Sequence, residues 1–208
     1  MLLDHRSKTQ LEHRDSWRTD PRIASGLFSI LRPCQIDGCA SDENHLLPDY
    51  FTREDNCLKL DWIAEAKKRG VTPALYANPP FSKEDSRAAT PHNGMGNFFQ
   101  KARAEAERGM YSQWFFRARP GEGWFPWFLA SRIWFIVGRV GFVDPATGKI
   151  DNDQTENHCV AEFIPGEHPF MATGLPLSRD DVIAEGLRAI QSGKFPVLTM
   201  RYEQLFVS

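Results

Sequence analysis

The amino-acid sequence predicts an α/β fold in which a mostly parallel sheet carries helices on both faces. Short apolar runs alternate with helix-forming runs through the first half of the 208 residues, which is typical of strands joined by crossover helices. In the last third, β-rich runs follow one another directly and predict an antiparallel C-terminal hairpin at the sheet edge. Because 41% of the residues are hydrophobic, the chain has enough apolar side chains for one domain core.

The N-terminal segment predicts an arm followed by a helix. Residues 1–15 are polar and charged without periodicity, so we expect an arm outside the core. Asp20 is a suitable N-cap, and Pro21 suits the first helical position, where its fixed φ is helical and no N–H is needed. The apolar residues that follow lie on one helical face, and Pro33 predicts the end of this helix.

Strands and helices then alternate as far as residue 116. Each predicted strand is a short apolar run, and each predicted helix combines good helix formers with a terminal glycine. The predicted order is a strand at 34–41, a helix at 61–70, a strand at 75–77 that ends at the residues after it, a helix at 97–109 and a strand at 110–116.

The C-terminal part predicts the hairpin and a final helix. Residues 132–165 hold three β-rich runs, with a turn-rich insert between the last two. Ser178 is a suitable N-cap and Gly193 a suitable terminator for the helix between them. We therefore expect a main domain at 16–165 and an extension at 166–208 that packs on the same domain.

Composition and charge limit the partners. The net charge is −2, which argues against a large basic field for nucleic acid and leaves room for a local basic face. The four cysteines form no CxxC pair and stand at no zinc spacing to the histidines, so we expect reduced thiols and no metal. No apolar run reaches membrane-spanning length, and the N-terminus lacks a signal-peptide core. We expect a cytoplasmic protein of a bacterial or phage-infected cell, without membrane contact.

The tetrapeptide Asn78-Pro79-Pro80-Phe81 directly follows an apolar run. Proline cannot donate to a strand ladder, so the segment must end the strand and is stiff. A rigid turn would explain the prolines but would leave the choice of Asn and Phe free. The alternative interpretation is the catalytic tetrapeptide of amino-methyltransferases, because it supplies the acceptors and the aromatic ring that such a site needs.

The chemistry of a nucleobase amine explains this second interpretation. Its lone pair is delocalised into the ring, so an enzyme must engage the two N–H groups through acceptors. The Asn78 side-chain oxygen and the Pro79 carbonyl oxygen are such acceptors, held still by the double proline. Phe81 can stack on a base flipped out of the duplex. Methyl transfer from a sulfonium needs in-line positioning more than a strong base.

Several further segments occur in a characteristic order. They are the run DGCASDENHLLPDYFTREDNCLKLDW, the YANPPF motif, a helix rich in Ala and Glu, and RIWFIVGRVGF. Together they resemble the phage N-6-adenine DNA methyltransferase family, the Dam-like enzymes of phages and prophages, over residues 16–165. The resemblance implies a Rossmann-like fold that uses S-adenosyl-L-methionine. It also implies methyl transfer to adenine N6 in double-stranded DNA, as in restriction-modification, with Asn78 to Phe81 as the catalytic loop.

The resemblance also implies candidates for the cofactor pocket. Asp37, Cys39 and Ala40 occupy the position of the family's first strand and cofactor loop, which keeps a single glycine in this chain. Asp61 also suits the N-cap of the helix that follows it, and the sequence favours neither role. The remaining candidates near the cofactor are Trp17, Thr19, Asn44 and Trp62.

Arginines and aromatic residues cluster after the strand that ends at residue 116. Most of the aromatic side chains are expected in the core. Arg117, Arg119 and Trp124 follow a predicted parallel strand, at the sheet end where ligands of open α/β folds bind, and are candidates for DNA contact. Lys83 and Arg87, in the polar loop after the tetrapeptide, are further candidates.

Two alternatives to a DNA adenine methyltransferase stay open. Related tetrapeptides occur in methyltransferases that act on RNA adenine, cytosine N4 or a protein glutamine amide, and Asn rather than Ser at position 78 favours adenine by family analogy only. A scaffold that has lost cofactor binding would instead be a DNA-binding accessory protein. The sequence is compatible with a monomer and with a homodimer.

Overall fold

The computed structural model describes residues 17–80, 94–145, 147–151 and 156–194. Strands and helices alternate along most of these ranges. The predicted arm at residues 1–15 lies outside them. In chain order the elements are β1 Arg18–Thr19, α1 Pro21–Ile30, β2 Ile36–Asp37, β3 Asp49–Tyr50, α2 Trp62–Arg69, β4 Ala74–Ala77, α3 Gly94–Glu107, β5 Tyr111–Arg117, β6 Arg132–Val137, β7 Phe142–Val143, β8 Ile150–Asp151, β9 His158–Phe163, β10 Thr173–Ser178 and α4 Arg179–Gln191.

The main sheet of the described chain contains seven strands in the order β3-β2-β4-β5-β9-β6-β10. Neighbouring strands are parallel except at β9, which is antiparallel to both β5 and β6. Strands β1, β7 and β8 form a separate small antiparallel sheet. The predicted α/β fold with a mostly parallel sheet is therefore confirmed.

The antiparallel pair lies inside the sheet, so its predicted position at the edge is wrong. β9 pairs with β6 on one side and with β5 on the other, where His158 stands opposite Arg117. All six residues of β9 are buried, as expected for a central strand. The edge strand on this side of the sheet is β10, which no local pattern predicts because Pro176 lacks an N–H. An edge position tolerates this proline, since one side of the strand makes no ladder bonds.

Helices cover both faces of the main sheet. Successive residues of a strand point to opposite faces and pack against different helices. In β4, Leu75 and Ala77 pack in a cluster with side chains of α2 and α3. Ala74 and Tyr76 pack in a second cluster with side chains of α1 and α4. Both faces of the strand are therefore apolar, as in sheets buried between helical layers.

The helix ends follow the predicted capping signals. The Asp20 side chain accepts the N–H of Arg22 at the start of α1, and the Ser178 hydroxyl accepts the N–H of Asp181 at the start of α4. Gly70 ends α2 with a φ of 72°, a left-handed conformation that glycine adopts without strain. None of the described helices is long and apolar enough to cross a membrane.

The segment after residue 165 packs against the N-terminal helix. A Cβ atom added at Gly186 of α4 would lie 1.9 Å from the carbonyl oxygen of Arg22 in α1. A Cβ atom at Gly26 of α1 would lie 2.0 Å from the carbonyl oxygen of Val182. The two helices therefore approach each other through their glycines. The boundary between a main domain and an extension stays a prediction.

Candidate active site at the carboxyl edge of the sheet

The candidate site lies at the edge of the main sheet where the parallel strands end. β2, β4 and β5 are parallel neighbours, and Asp37 is in register with Tyr76. The chain therefore leaves β2 after Asp37, β4 just before Asn78 and β5 after Arg117 at one edge. Ligands of open α/β sheets bind at this edge, so the fold places the predicted tetrapeptide where a ligand is expected.

Asn78 is held by a hydrogen bond to the N-terminal strand. Its Nδ2 donates to Thr19 Oγ1 at 3.1 Å, and Thr19 Oγ1 lies 3.2 Å from the Tyr76 hydroxyl oxygen. Thr19 and Tyr76 are both buried. Asn78 Oδ1 is buried as well, and none of the described residues donates a hydrogen bond to it. A buried acceptor without a donor costs free energy, so this oxygen points to a donor on a ligand.

The two prolines carry the chain away from β4. Pro79 is buried and Pro80 is half-buried. The β4 ladder with β5 ends at Ala77, as expected because proline has no N–H for a further ladder bond. Phe81, the fourth residue of the predicted tetrapeptide, lies outside the described residues, and its stacking role stays a prediction.

Asp37 shapes the loop between β2 and β3. Its Oδ2 accepts the N–H of Leu46 at 2.9 Å, and its Oδ1 accepts the N–H of Cys39 at 3.4 Å. Burial raises the pKa of the Asp37 carboxyl to about 6, although both backbone donors favour the charged form. Both carboxyl oxygens of Asp37 accept backbone N–H groups of the candidate cofactor loop. Asp37 therefore stabilises the conformation of this loop.

Gly38 lets this loop approach β4 closely. Its N–H donates to the Tyr76 carbonyl oxygen at 2.7 Å. A Cβ atom at Gly38 would lie 2.8 Å from Leu75 Cδ2, which is closer than a side chain tolerates without a shift. A side chain at position 38 would therefore require the Leu75 side chain to shift.

Three of the predicted cofactor residues lie in the same loop. Cys39 and Ala40 are half-buried, and a hydrogen bond to Cys57 together with burial raises the pKa of the Cys39 thiol, which stays protonated. The Ala40 N–H donates to the carbonyl of the residue after β3, while Ser41 and Asn44 each donate an N–H to the other's carbonyl. These backbone N–H groups, and the carbonyl oxygens of Ser41 and Asn44, are therefore engaged inside the protein.

Asp61 and Trp62 stand at the start of α2 and are engaged by other residues of the protein. Asp61 caps α2, and its Oδ2 accepts a hydrogen bond from Arg108 Nη2 at 2.5 Å. Arg108 follows α3, so this ion pair joins the start of α2 to the end of α3. Trp62 is fully buried, and its Nε1 donates to the Cys57 carbonyl oxygen at 2.6 Å. The Trp62 ring centroid lies 6.0 Å from that of Trp114, which pairs with Ala77 directly before Asn78. The cofactor role of Asp61 and Trp62 stays a prediction.

Trp17 lies two residues before Thr19, and the contacts described for its side chain are apolar. It is half-buried and packs against the cluster under α1 and α4. Thr19, two residues later, provides the contact with Asn78. The predicted pair of N-terminal candidates thus divides into one packing residue and one residue that binds the tetrapeptide.

Arg117 and Arg119 lie at the site edge and share one carboxylate. Arg119 Nη2 is 2.6 Å from Glu156 Oε1, and Arg117 Nε is 3.5 Å from Glu156 Oε2. Partial burial opposes ionisation of Glu156, but the Arg119 hydrogen bond and the Arg117 charge outweigh it and lower the pKa of Glu156. An incoming phosphate would therefore have to replace Glu156 at both guanidinium groups.

The other DNA-contact candidates are less defined. Trp124 is half-buried, with its ring centroid 6.3 Å from that of Phe99 and 6.1 Å from that of Phe116, so one side of it belongs to the core. Lys83 and Arg87 lie outside the described residues. Contact of these three residues with DNA stays a prediction.

Two residues near the edge are not singled out by the sequence. Tyr76 contacts Thr19, and its only signal is a hydroxyl inside a buried strand directly before the tetrapeptide. His158 is buried opposite Arg117, with its ring stacked on Phe115 at 5.2 Å. Burial and the Arg117 charge lower the pKa of His158 to about 4, so it is neutral at physiological pH. Its placement depends on pairing between β5 and β9, which no local pattern reveals.

What this edge offers chemically is a fixed hydrogen-bond acceptor directly after β4. Asn78 Oδ1 is that acceptor, and Thr19 holds the other end of the amide. Within the described ranges, no group of three or more His, Cys, Asp or Glu side chains could hold a metal ion. The arrangement can therefore orient an N–H group that enters from solvent.

Comparison with known proteins identifies the family. The chain matches the family described as DNA N-6-adenine-methyltransferase (Dam) over residues 6–188. The chain belongs to this family. The resemblance stated from the sequence is thereby confirmed, and the match reaches beyond residue 165 into α4 of this Dam-family protein.

Two relatives match part of the Dam-family chain. The DNA N-6-adenine-methyltransferase of Escherichia phage T1 is 31% identical over 72 residues, which are 35% of this chain and 27% of that protein. The putative methyltransferase YfdM of Escherichia coli strain K12 is 34% identical over 70 residues, which are 32% of this chain and 71% of that protein. The chain thus matches about a quarter of the phage T1 protein's length. No solved structure matches at a significant level.

Proposed function

We propose that this chain transfers a methyl group from S-adenosyl-L-methionine to adenine N6 in double-stranded DNA, in the cytoplasm of a bacterial or phage-infected cell. The observation that carries the proposal is the buried Asn78 Oδ1, which receives no hydrogen bond from the described residues. Membership of the Dam family and the likeness to the phage T1 methyltransferase support adenine in DNA as the acceptor.

In the proposed mechanism, Asn78 and Pro79 orient the target amine. One N–H of a flipped adenine donates to Asn78 Oδ1, and the other donates to the Pro79 carbonyl oxygen. These bonds fix the nitrogen, and Phe81 stacks on the base. Because the Asn78 amide is already held by Thr19, little reorganisation accompanies base entry.

The loop after β2 fits the donor groups of the proposed cofactor within a Rossmann-like arrangement. The N–H groups of Gly38, Cys39 and Ala40 bind inside the protein, so the loop offers acceptors at the sheet edge. The ammonium and amino groups of S-adenosyl-L-methionine are donors, and Cys39, Ala40 and Asn44 are the residues we expect to hold them. When bound, this group supplies a methyl already activated on a sulfonium.

The deciding experiment incubates the protein with methyl-labelled cofactor and double-stranded DNA, followed by nucleoside analysis. We expect the label in N6-methyladenine. RNA and total cell protein serve as parallel acceptors, and label in RNA, in N4-methylcytosine or in protein glutamine would replace the proposed substrate. A folded protein that fails to bind S-adenosyl-L-methionine in calorimetry would instead be an accessory scaffold.

Substitution of the acceptor tests the mechanism. Asn78→Ala removes the oxygen that engages the amine, so we expect a loss of about 100-fold or more in kcat, on the scale of deleting one preorganised hydrogen-bonding group. Cofactor affinity should change less than about twofold, because the side chain acts on the acceptor base. Gln191→Ala removes an exposed amide at the end of α4 and is the matched control. Retained activity in Asn78→Ala would contradict the mechanism.

A further inference from the structure

We propose that Thr19 is a positioning residue whose hydroxyl fixes the direction in which the Asn78 amide faces. The inference rests on the proposed function, since it concerns the same acceptor oxygen. It differs from a role in the cofactor pocket, because the contact that Thr19 makes is with the tetrapeptide.

The two ends of the Asn78 amide are chemically different. Nδ2 donates to Thr19 Oγ1 at 3.1 Å, which leaves Oδ1 as the group without a donor among the described residues. Rotation of the amide by half a turn would exchange the two ends and present an N–H₂ group to the target amine. Two donors would then face each other, and the base would lose its acceptor. The direction of the amide therefore matters for the reaction and little for the fold.

A hydroxyl can accept a hydrogen bond from the N–H₂ end of an amide or donate one to its oxygen. A further group must therefore decide which of these two bonds Thr19 makes with Asn78. We assign this selection to Tyr76, whose hydroxyl oxygen lies 3.2 Å from Thr19 Oγ1; the geometry allows either hydroxyl to be the donor, and the proposal takes Thr19 as the donor. When Thr19 donates its single proton to Tyr76, only lone pairs remain for Asn78. Thr19 can then accept from Nδ2 but cannot donate to Oδ1. With Thr19 as the donor to Tyr76, these two hydrogen bonds leave Asn78 Oδ1 as the end of the amide that faces the ligand.

Thr19 itself is held from several sides. It is 4% exposed, and it pairs with Phe142 in the ladder between β1 and β7. Asp20, the next residue, caps α1, so the chain direction is fixed immediately after Thr19. Because its oxygen already contacts both Asn78 and Tyr76, Thr19 has little capacity left for a cofactor hydroxyl.

The experiment compares three variants with the wild-type protein. Thr19→Val keeps the shape and removes the hydroxyl, so we expect kcat on DNA to fall by about 10- to 100-fold, as for other losses of catalytic positioning. Thr19→Ser should retain most of the activity because it keeps the hydroxyl. Tyr76→Phe should cause a smaller loss, and Thr19→Val with Tyr76→Phe should be no slower than Thr19→Val alone, because both act through one chain of bonds.

Binding separates positioning from direct contact. We expect the Kd for S-adenosyl-L-methionine and the KM for DNA to change by less than about twofold in Thr19→Val. Thr72→Val, which alters an exposed threonine before β4, is the control for the substitution itself. Weaker cofactor binding with full kcat at saturation would make Thr19 a cofactor contact and overturn the proposal. Unchanged kcat in Thr19→Val would also overturn it.

A readout that does not depend on activity keeps this proposal distinct from the proposed function. The side-chain N–H₂ resonance of Asn78, assigned by its loss in Asn78→Asp, reports the bond to Thr19 directly. It should be protected from exchange in the wild-type protein and in Thr19→Ser, and lose protection in Thr19→Val. If the wild-type protein methylates no adenine in DNA, the proposed function fails while this resonance still decides the positioning role. Equal protection in Thr19→Val would overturn it.

Discussion

At the residue scale, Asp37 makes the stability of the fold depend on pH. Burial raises the pKa of its carboxyl from 3.8 to about 6. Its stabilising contribution is therefore full below the unfolded pKa and is lost as the pH rises through about 6. The shift corresponds to about 3 kcal/mol, since one pKa unit is worth about 1.4 kcal/mol.

Asp37→Asn tests this dependence. The free energy of unfolding of the wild-type protein should fall relative to that of Asp37→Asn as the pH rises from about 4 to about 6, and the difference should stay constant above that range. Urea unfolding at a series of pH values measures both curves. Asp49→Asn, which changes a partly exposed carboxylate near Arg69, is the control. Parallel curves for the wild-type protein and Asp37→Asn would contradict the assignment.

Single residues also show how far sequence reasoning reaches. The cap formed by Asp61 is visible locally, because its acceptor role involves an N–H three residues later. Its ion pair with Arg108 spans 47 residues and depends on how α2 and α3 pack, so the sequence could not choose between a cap and a cofactor contact. The sequence indicates Thr19 through the family resemblance alone. Its hydrogen bond to Asn78 joins residues 59 apart and is visible only in the folded structure.

At the scale of elements, the glycines between α1 and α4 set the distance between these helices. Gly186→Ala would place a Cβ atom 1.9 Å from the Arg22 carbonyl oxygen, so backbone must move. We expect a loss of about 1–3 kcal/mol in the free energy of unfolding, the usual range for overpacking. Gly123→Ala is the matched control, because no atom lies within 4 Å of its Cβ position. Equal midpoints in urea unfolding for the two variants would contradict the close packing.

The predictability of elements follows from where their signals lie. The helices α1, α2 and α4 carry capping residues at their first and last turns, and these local bonds form as the sequence indicates. The strand order depends on pairings distant in sequence, and the turn-rich segment before β9 hides that this strand inserts between β5 and β6. Pro176 obscures β10, because proline argues against a strand wherever its edge position is unknown.

At the scale of the whole molecule, Glu156 joins two elements at the site edge. It lies just before β9 and contacts Arg117 and Arg119, which end β5 and begin the loop after it. With a net charge of −2, the chain has no general attraction for DNA, so the proposed DNA binding would depend on local arginines for its phosphate contacts. The carboxylate of Glu156 occupies the position at which a phosphate would bind these two arginines. We therefore expect Glu156 to compete with DNA for these two arginines.

This competition predicts that removal of the arginine charges weakens DNA binding, whereas removal of the Glu156 charge strengthens it. Arg117→Ala with Arg119→Ala should lower the slope of log affinity against log salt by about 2, since each phosphate contact contributes about 0.9. Glu156→Gln should strengthen DNA binding at low salt by about two- to fivefold, as expected from releasing exposed ion pairs. Fluorescence anisotropy of a labelled duplex across salt concentrations measures both. Arg188→Ala, which breaks an exposed pair with Glu185 on α4, is the control. An unchanged slope in the double variant would place the DNA elsewhere on the molecule.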